Sequence, residues 1–101
     1  MAVDFDNAWL TKQGLDGKGS AKTLDAVIGE FELRVGNKLV AKLTKPQLAK
    51  FEKIEDEDAR FDYLDEVYPE FESEVEKISE DLDAEITKAG DKKKLIASWA
   101  D

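Results

Sequence analysis

The chain has 101 residues, with 24 acidic against 15 basic side chains for a formal net charge of −9, and it holds neither cysteine nor histidine. That composition excludes disulfides, thiolate metal sites and thiol nucleophiles, and it removes the commonest general base and metal ligand. No apolar run approaches the roughly 20 residues needed to span a bilayer, and the opening MAVDFDNAWL lacks the basic-then-apolar layout of a signal peptide. A soluble, cytoplasmic protein with a single helical domain over residues 1–101 is expected.

In chain order, Asp6 fits an N-cap, with Phe5 before it and Leu10 inside the helix as a hydrophobic staple. Gly14 supplies a left-handed stop, and Leu15 can fold back on the short helix. Asp16-Gly17-Lys18-Gly19 is a flexible loop, and Ser20 is expected to cap the next helix. The phosphate-binding pattern needs Gly, four residues, then Gly-Lys-Ser/Thr after a strand. Here a glycine separates Lys18 from Ser20 and no strand precedes, so Gly17–Ser20 reads as a turn.

Ser20–Leu43 reads as one long amphipathic helix, the element around which the rest is organised. At 100° per residue, Leu24, Val27, Ile28, Val35 and Leu39 fall within roughly 80° of Phe31. A second stripe, Gly29, Leu33, Gly36 and Val40, adjoins them. Together they cover over half the circumference, which predicts a helix sandwiched by neighbours, with the glycines admitting a close crossing. A large side chain at Gly36 would then overpack that crossing, and Phe31 would be deep core. The alternative is a kink at Gly36-Asn37.

Thr44-Lys45-Pro46-Gln47 has the form of a capping box with Pro in the first turn. The short helix after it, to about Glu55, turns Leu48, Phe51 and Ile54 inward. Glu55–Asp58 is the obvious metal candidate, but a calcium loop begun at Asp56 puts Arg60 at position 5, Phe61 at 6 and Val67 at 12. The register fails, so no metal is assigned, and Asp56 or Asp58 is read as a cap. A helix over about Asp58–Val67 presents Phe61, Leu64, Val67 and Tyr68, with Tyr63 nearer an edge. Pro69 breaks the run and opens another. There Phe71, Val75, Ile78, Leu82, Ile86 and Ala89 form a narrow stripe, which predicts a helix on the outside; a short two-stranded coiled coil is the alternative. Gly90 ends it, and Asp91 caps a last helix in which Leu95, Ile96 and Trp99 share a face. Those residues either close the core or leave Trp99, beside Lys92-Lys93-Lys94, as an exposed anchor. The fold class is thus all-α, a compact bundle of five or six helices packed around one long central helix.

The runs ELRVGNKLVAKLTKPQLAKFEKI (Glu32–Ile54) and YLDEVYPEFESEVEKISEDLDAEI (Tyr63–Ile86) resemble a family of small helical bacterial proteins of unknown function, best represented in candidate-phylum bacteria with reduced genomes. The resemblance rests on Val35-Gly36, the Leu43-Thr44 helix stop, Gln47-Leu48 with Phe51-Glu52, and the break before the last long helix. It implies a compact helical fold and carries over no activity and no site.

Function is constrained mainly by charge. Residues 52–85 hold 16 acidic and 3 basic side chains, while the remainder is net positive. An acidic half disfavours direct binding of nucleic acid or an anionic membrane and suits a basic partner. Glu32 projects between the two apolar stripes; pairing with a cation such as Arg60, or reaching solvent, is favoured over a catalytic role because an unpaired buried charge is costly. Arg34 reads as an i,i+4 partner for Glu30. The expected role is a non-enzymatic protein–protein interaction or adaptor module, a monomer or weak homodimer without cofactors. Glu70, Glu72, Glu74 and Glu76 would set partner charge, and Trp99 would supply apolar contact. Alternatives are an acidic nucleic-acid mimic that binds a basic protein, and a small-ligand carrier or enzyme with an inter-helix cavity.

Overall fold

A computed structural model describes residues 2–100. Over them the chain is all-α, with six helices and no strand: α1 (Asn7–Lys12), α2 (Ser20–Lys42), α3 (Lys45–Lys53), α4 (Glu57–Val67), α5 (Phe71–Lys88) and α6 (Lys92–Trp99).

The breaks follow local chemistry. The Asp6 carboxylate accepts from Trp9 N at 2.9 Å and starts α1. Gly14, at φ 74°, ends it; Gly14 N donates to Thr11 O at 3.1 Å and Leu15 N to Leu10 O at 2.8 Å, a Schellman pair that buries Leu15. Thr44 and Gln47 form both halves of the capping box of α3. Asp56 starts α4 by accepting from Ala59 N, and Asp91 starts α6 by accepting from Lys94 N. One cap differs from expectation. Ser20 is already helical, and the N-cap is Gly19 at φ 83°, without a side-chain cap bond. A left-handed glycine turns the loop into the helix directly, so no serine side chain is needed.

Two hydrophobic clusters lie end to end. The first joins Trp9, Leu10 and Leu15 to Val27 of α2, Leu82 and Ile86 of α5, and Ile96 of α6. The second joins Leu39 and Leu43 to Leu64, Tyr68 and Phe71, with Phe51 and Val75 packed against it. The N-terminal half of α2 thus meets the C-terminal half of α5, and the reverse at the other end, so the two helices run in opposite directions. The end-to-end layout gives extents of 42 × 25 × 22 Å and a radius of gyration of 15.3 Å, against roughly 13 Å for a compact chain of 100 residues.

Three packing expectations are corrected. The stripe of Gly29, Leu33, Gly36 and Val40 has no helix on it: Leu33 is 58% and Val40 63% exposed, and a Cβ built on either glycine meets nothing within 4 Å. Neighbours occupy the other side of α2, which continues unbroken through Gly36-Asn37. Phe31 is half-buried, packed on Phe5 at 5.5 Å between ring centroids rather than deep in the core. Phe61 is 48% exposed, because α4 turns Leu64 and Tyr68 inward and leaves Phe61 on its flank.

Leu82, fully buried on α5, should lose about 2–5 kcal/mol on truncation to Ala, and Phe31→Ala should cost less than the roughly 3–5 kcal/mol of a fully buried Phe. Gly36→Ala should stabilise by up to about 1 kcal/mol, since it removes a helix-interior glycine into open space. Urea denaturation of the three variants tests this order.

Candidate functional site

The open stripe and the exposed Phe61 direct attention to the gap between α2 and the α3–α4 pair. Arg60 holds that pair together. Its Nε donates to Ile54 O, just past the end of α3, and its guanidinium lies 5.3 Å from the Phe51 ring centroid. A cation at a helix C-terminus meets the negative end of the helix dipole, so the Arg60 charge is used structurally. Lys50 lies 5.0 Å from the Tyr63 ring centroid and adds a second cation–π contact between the same helices.

This pair stands off from α2 and leaves a groove of about 660 Å³. Phe31, Val35 and Leu39 of α2 form one wall, Phe51, Arg60 and Phe61 another, and Phe71 and Val75 of α5 complete it. Glu32, Gly36 and Glu57 also line it. Glu32 is exposed there, in line with the solvent-reaching alternative. A hollow of about 710 Å³ at the α5–α6 corner has Glu85, Lys88, Asp91 and Lys94 among its lining residues and no aromatic ring. Of these two, the groove is the one lined by aromatic rings.

The acidic residues expected to face a partner do not form one row. Glu70, the N-cap of α5, and Glu74 flank the Phe71 stripe on one side, and Glu72 and Glu76 on the other, as the 100° step dictates. Glu74 lies 3.7 Å from Lys38 of α2. Trp99 is half-buried against the first cluster, with the Arg34 guanidinium 5.7 Å from its ring centroid, away from the groove. Among the described residues no three carboxylates are placed to hold a metal ion together. No helix among them is long and apolar enough to cross a membrane.

Sequence reasoning placed Arg34 beside Glu30, and Nε does donate to Glu30 Oε2 at 2.7 Å. It missed the larger role. The same guanidinium makes a two-pronged ion pair with Glu85 of α5, so Arg34 ties α2 to both α5 and α6. That pairing holds the Glu85 carboxyl below its ordinary range, outweighing the opposing effect of burial. The Tyr68 hydroxyl, by contrast, is buried without a hydrogen-bond partner. Burial first, then the nearby Glu74 and Glu70 charges, push it up from its usual value.

The model of a protein family of unknown function, DUF5663, matches residues 9–86. The chain belongs to the DUF5663 family. No curated protein and no solved structure matches it. The DUF5663 match runs from Trp9 in α1 to Ile86 in α5 and so includes every residue lining the groove, whereas α6 lies beyond it.

Two stability effects follow. Glu85 is half exposed, so its pair with Arg34 is worth no more than about 1 kcal/mol at neutral pH. Because the folded carboxyl is held low, that contribution is present above the unfolded value of about 4.3 and is lost as pH falls through the folded value. The stability gap between the native chain and Glu85→Gln, read from urea midpoints, should therefore close in acid. Tyr68→Phe should be neutral or stabilising by about 1 kcal/mol, because it removes an unsatisfied buried hydroxyl.

Proposed function

We propose that this chain is a non-enzymatic protein-binding module whose groove between α2, the α3–α4 pair and α5 takes a basic amphipathic helix. The observation that carries this reading is the aromatic lining of a groove of about 660 Å³ bordered by Glu32 and Glu57. An apolar trough that wide fits the helix-in-groove mode, where residues at i, i+3, i+4 and i+7 insert together. The side chains of α4 and most of α5 belong to the acidic stretch of residues 52–85, which selects a basic occupant and speeds its approach. Phe61 takes the anchoring role expected of Trp99, because it is the exposed aromatic at the groove.

The polar side chains lining the groove favour this reading over a small-molecule site. Glu32 and Glu57 are exposed, and Arg60 is engaged with Ile54 O and the Phe51 ring, so they do not converge on a common point inside.

A designed Lys/Leu helical peptide, titrated by fluorescence anisotropy and stopped flow, tests the proposal. Raising salt from about 0.05 to 0.5 M should slow association strongly and change dissociation little. Joint replacement of Glu70, Glu72, Glu74 and Glu76 by Gln should reproduce the effect on association, and Phe61→Ala should speed dissociation at least about tenfold. Equal binding of an acidic peptide with the same apolar pattern would sink the proposal. Binding that vanishes in salt but survives Phe61→Ala would point to nucleic-acid mimicry instead.

A further inference from the structure

Before α1, the segment Ala2–Phe5 forms an irregular strap that bridges α5 and α2. Val3 N donates to the buried Ser79 Oγ of α5 at 3.0 Å. The Phe5 ring lies 5.5 Å from the Phe31 centroid on α2 and edge-on to Trp9 at 5.1 Å. No residue of the strap is fully buried, and no helix or strand holds it. Val3, Asp4 and Phe5 line, with Ile28, Phe31 and Glu32, a hollow of about 350 Å³. Phe31 and Glu32 line the groove as well.

The two hollows are therefore successive parts of one trough along α2. Ile28, Phe31, Val35 and Leu39 fall on one side of that helix at 100° per residue, and they line the trough in turn. From Phe31 to Leu39 is roughly 12 Å, two turns of an occupant helix; from Ile28 it is roughly 16 Å, three turns. Phe5 marks the boundary between the two lengths. It covers the Phe31 ring with an apolar side chain, the contact that an occupant would make there. Charge points the same way. Asp4 and Glu32 line the hollow and no cationic side chain does, so a lysine of an incoming helix meets two carboxylates.

We infer, on the reading of the groove as a helix site, that the Ala2–Phe5 strap is a built-in competitor for it, and that the helix it competes with is basic with three apolar turns. A helix with two apolar turns binds beside Phe5. One with three displaces Phe5, takes its place on Phe31 and reaches Ile28. The docked strap shortens the trough, so the apparent affinity for a long helix is reduced by the fraction of molecules whose strap stands open. The strap therefore sets which helices the groove prefers.

Two Lys/Leu helical peptides of equal length provide the test, one with leucines at i, i+4 and i+7, the other with a fourth at i+11 in place of glutamine. Phe5→Ala should tighten binding of the four-leucine peptide at least about fivefold and leave the three-leucine peptide within about twofold. Ser79→Ala, which removes the acceptor of Val3 N and lies outside the groove, should favour the four-leucine peptide in the same direction. Because Phe5 packs on Trp9, the four-leucine peptide should also shift the indole emission of the native chain, and the three-leucine peptide should not. A Phe5→Ala chain that gains nothing for the four-leucine peptide, or gains equally for both, overturns the inference and leaves the groove standing. So does native emission that ignores the four-leucine peptide. Loss of both peptides in Phe5→Ala makes the ring a support for Phe31 and overturns the inference too. If neither peptide binds the native chain or either variant, the groove itself is refuted and the inference falls with it.

Discussion

The opposed pairing of α2 and α5 is the constraint on which the other elements depend. Each contributes to both hydrophobic clusters, α2 with Val27 and Leu39, α5 with Leu82 and Phe71. No other helix supplies buried residues to both. α1 and α6 close one end and α3 and α4 the other, so the two ends communicate mainly through this pair. Arg34–Glu85 and Lys38–Glu74 cross between the same two helices. These exposed or half-exposed pairs contribute little energy singly. Their effect is to favour one register of α2 on α5 over its neighbours.

Features encoded within four or five residues were legible in the sequence. Asp6, Thr44 with Gln47, Asp91, and Gly14 with Leu15 act where they were expected, because caps and stops are satisfied by their own backbone neighbourhood. Gly19 and Ser20 mark the limit of that logic. Both are acceptable at a helix start, and only the loop's path decides between them. Selection among apolar faces was not legible at all. α2 carries more apolar surface than its neighbours cover, and periodicity alone does not say which stripe wins. The same applies to Phe61, which has the right spacing for core but sits beside Leu64 and Tyr68, which fill the space first.

The candidate groove had no local signature either. It exists because α3 buries no side chain completely and is held to α4 by Arg60, leaving the pair close together and apart from α2. Its lining comes from four helices, and bringing residues 31 and 71 to the same groove is a product of folding. The link from Arg34 to Glu85 has the same origin. The sequence displays the i,i+4 neighbour Glu30, while the partner 51 positions away becomes visible only once α2 and α5 are laid side by side.

The distribution of rings between the two ends has a spectroscopic consequence. Both tryptophans belong to the first cluster: Trp9 is buried with its indole N–H donating to Asp83 Oδ1 at 2.7 Å, and Trp99 lies under the Arg34 guanidinium. Both tyrosines belong to the α4 end, Tyr68 in the second cluster and Tyr63 against Lys50. Indole emission is therefore a local gauge of the end built by α1 and α6, and it is blind to loosening around α3 and α4. Far-UV ellipticity sums over all six helices. Superimposable denaturation curves from the two signals would mean that the α2–α5 pair couples both ends into one cooperative unit. An ellipticity change preceding the loss of indole signal would instead make the groove-bearing end a separately melting foldon.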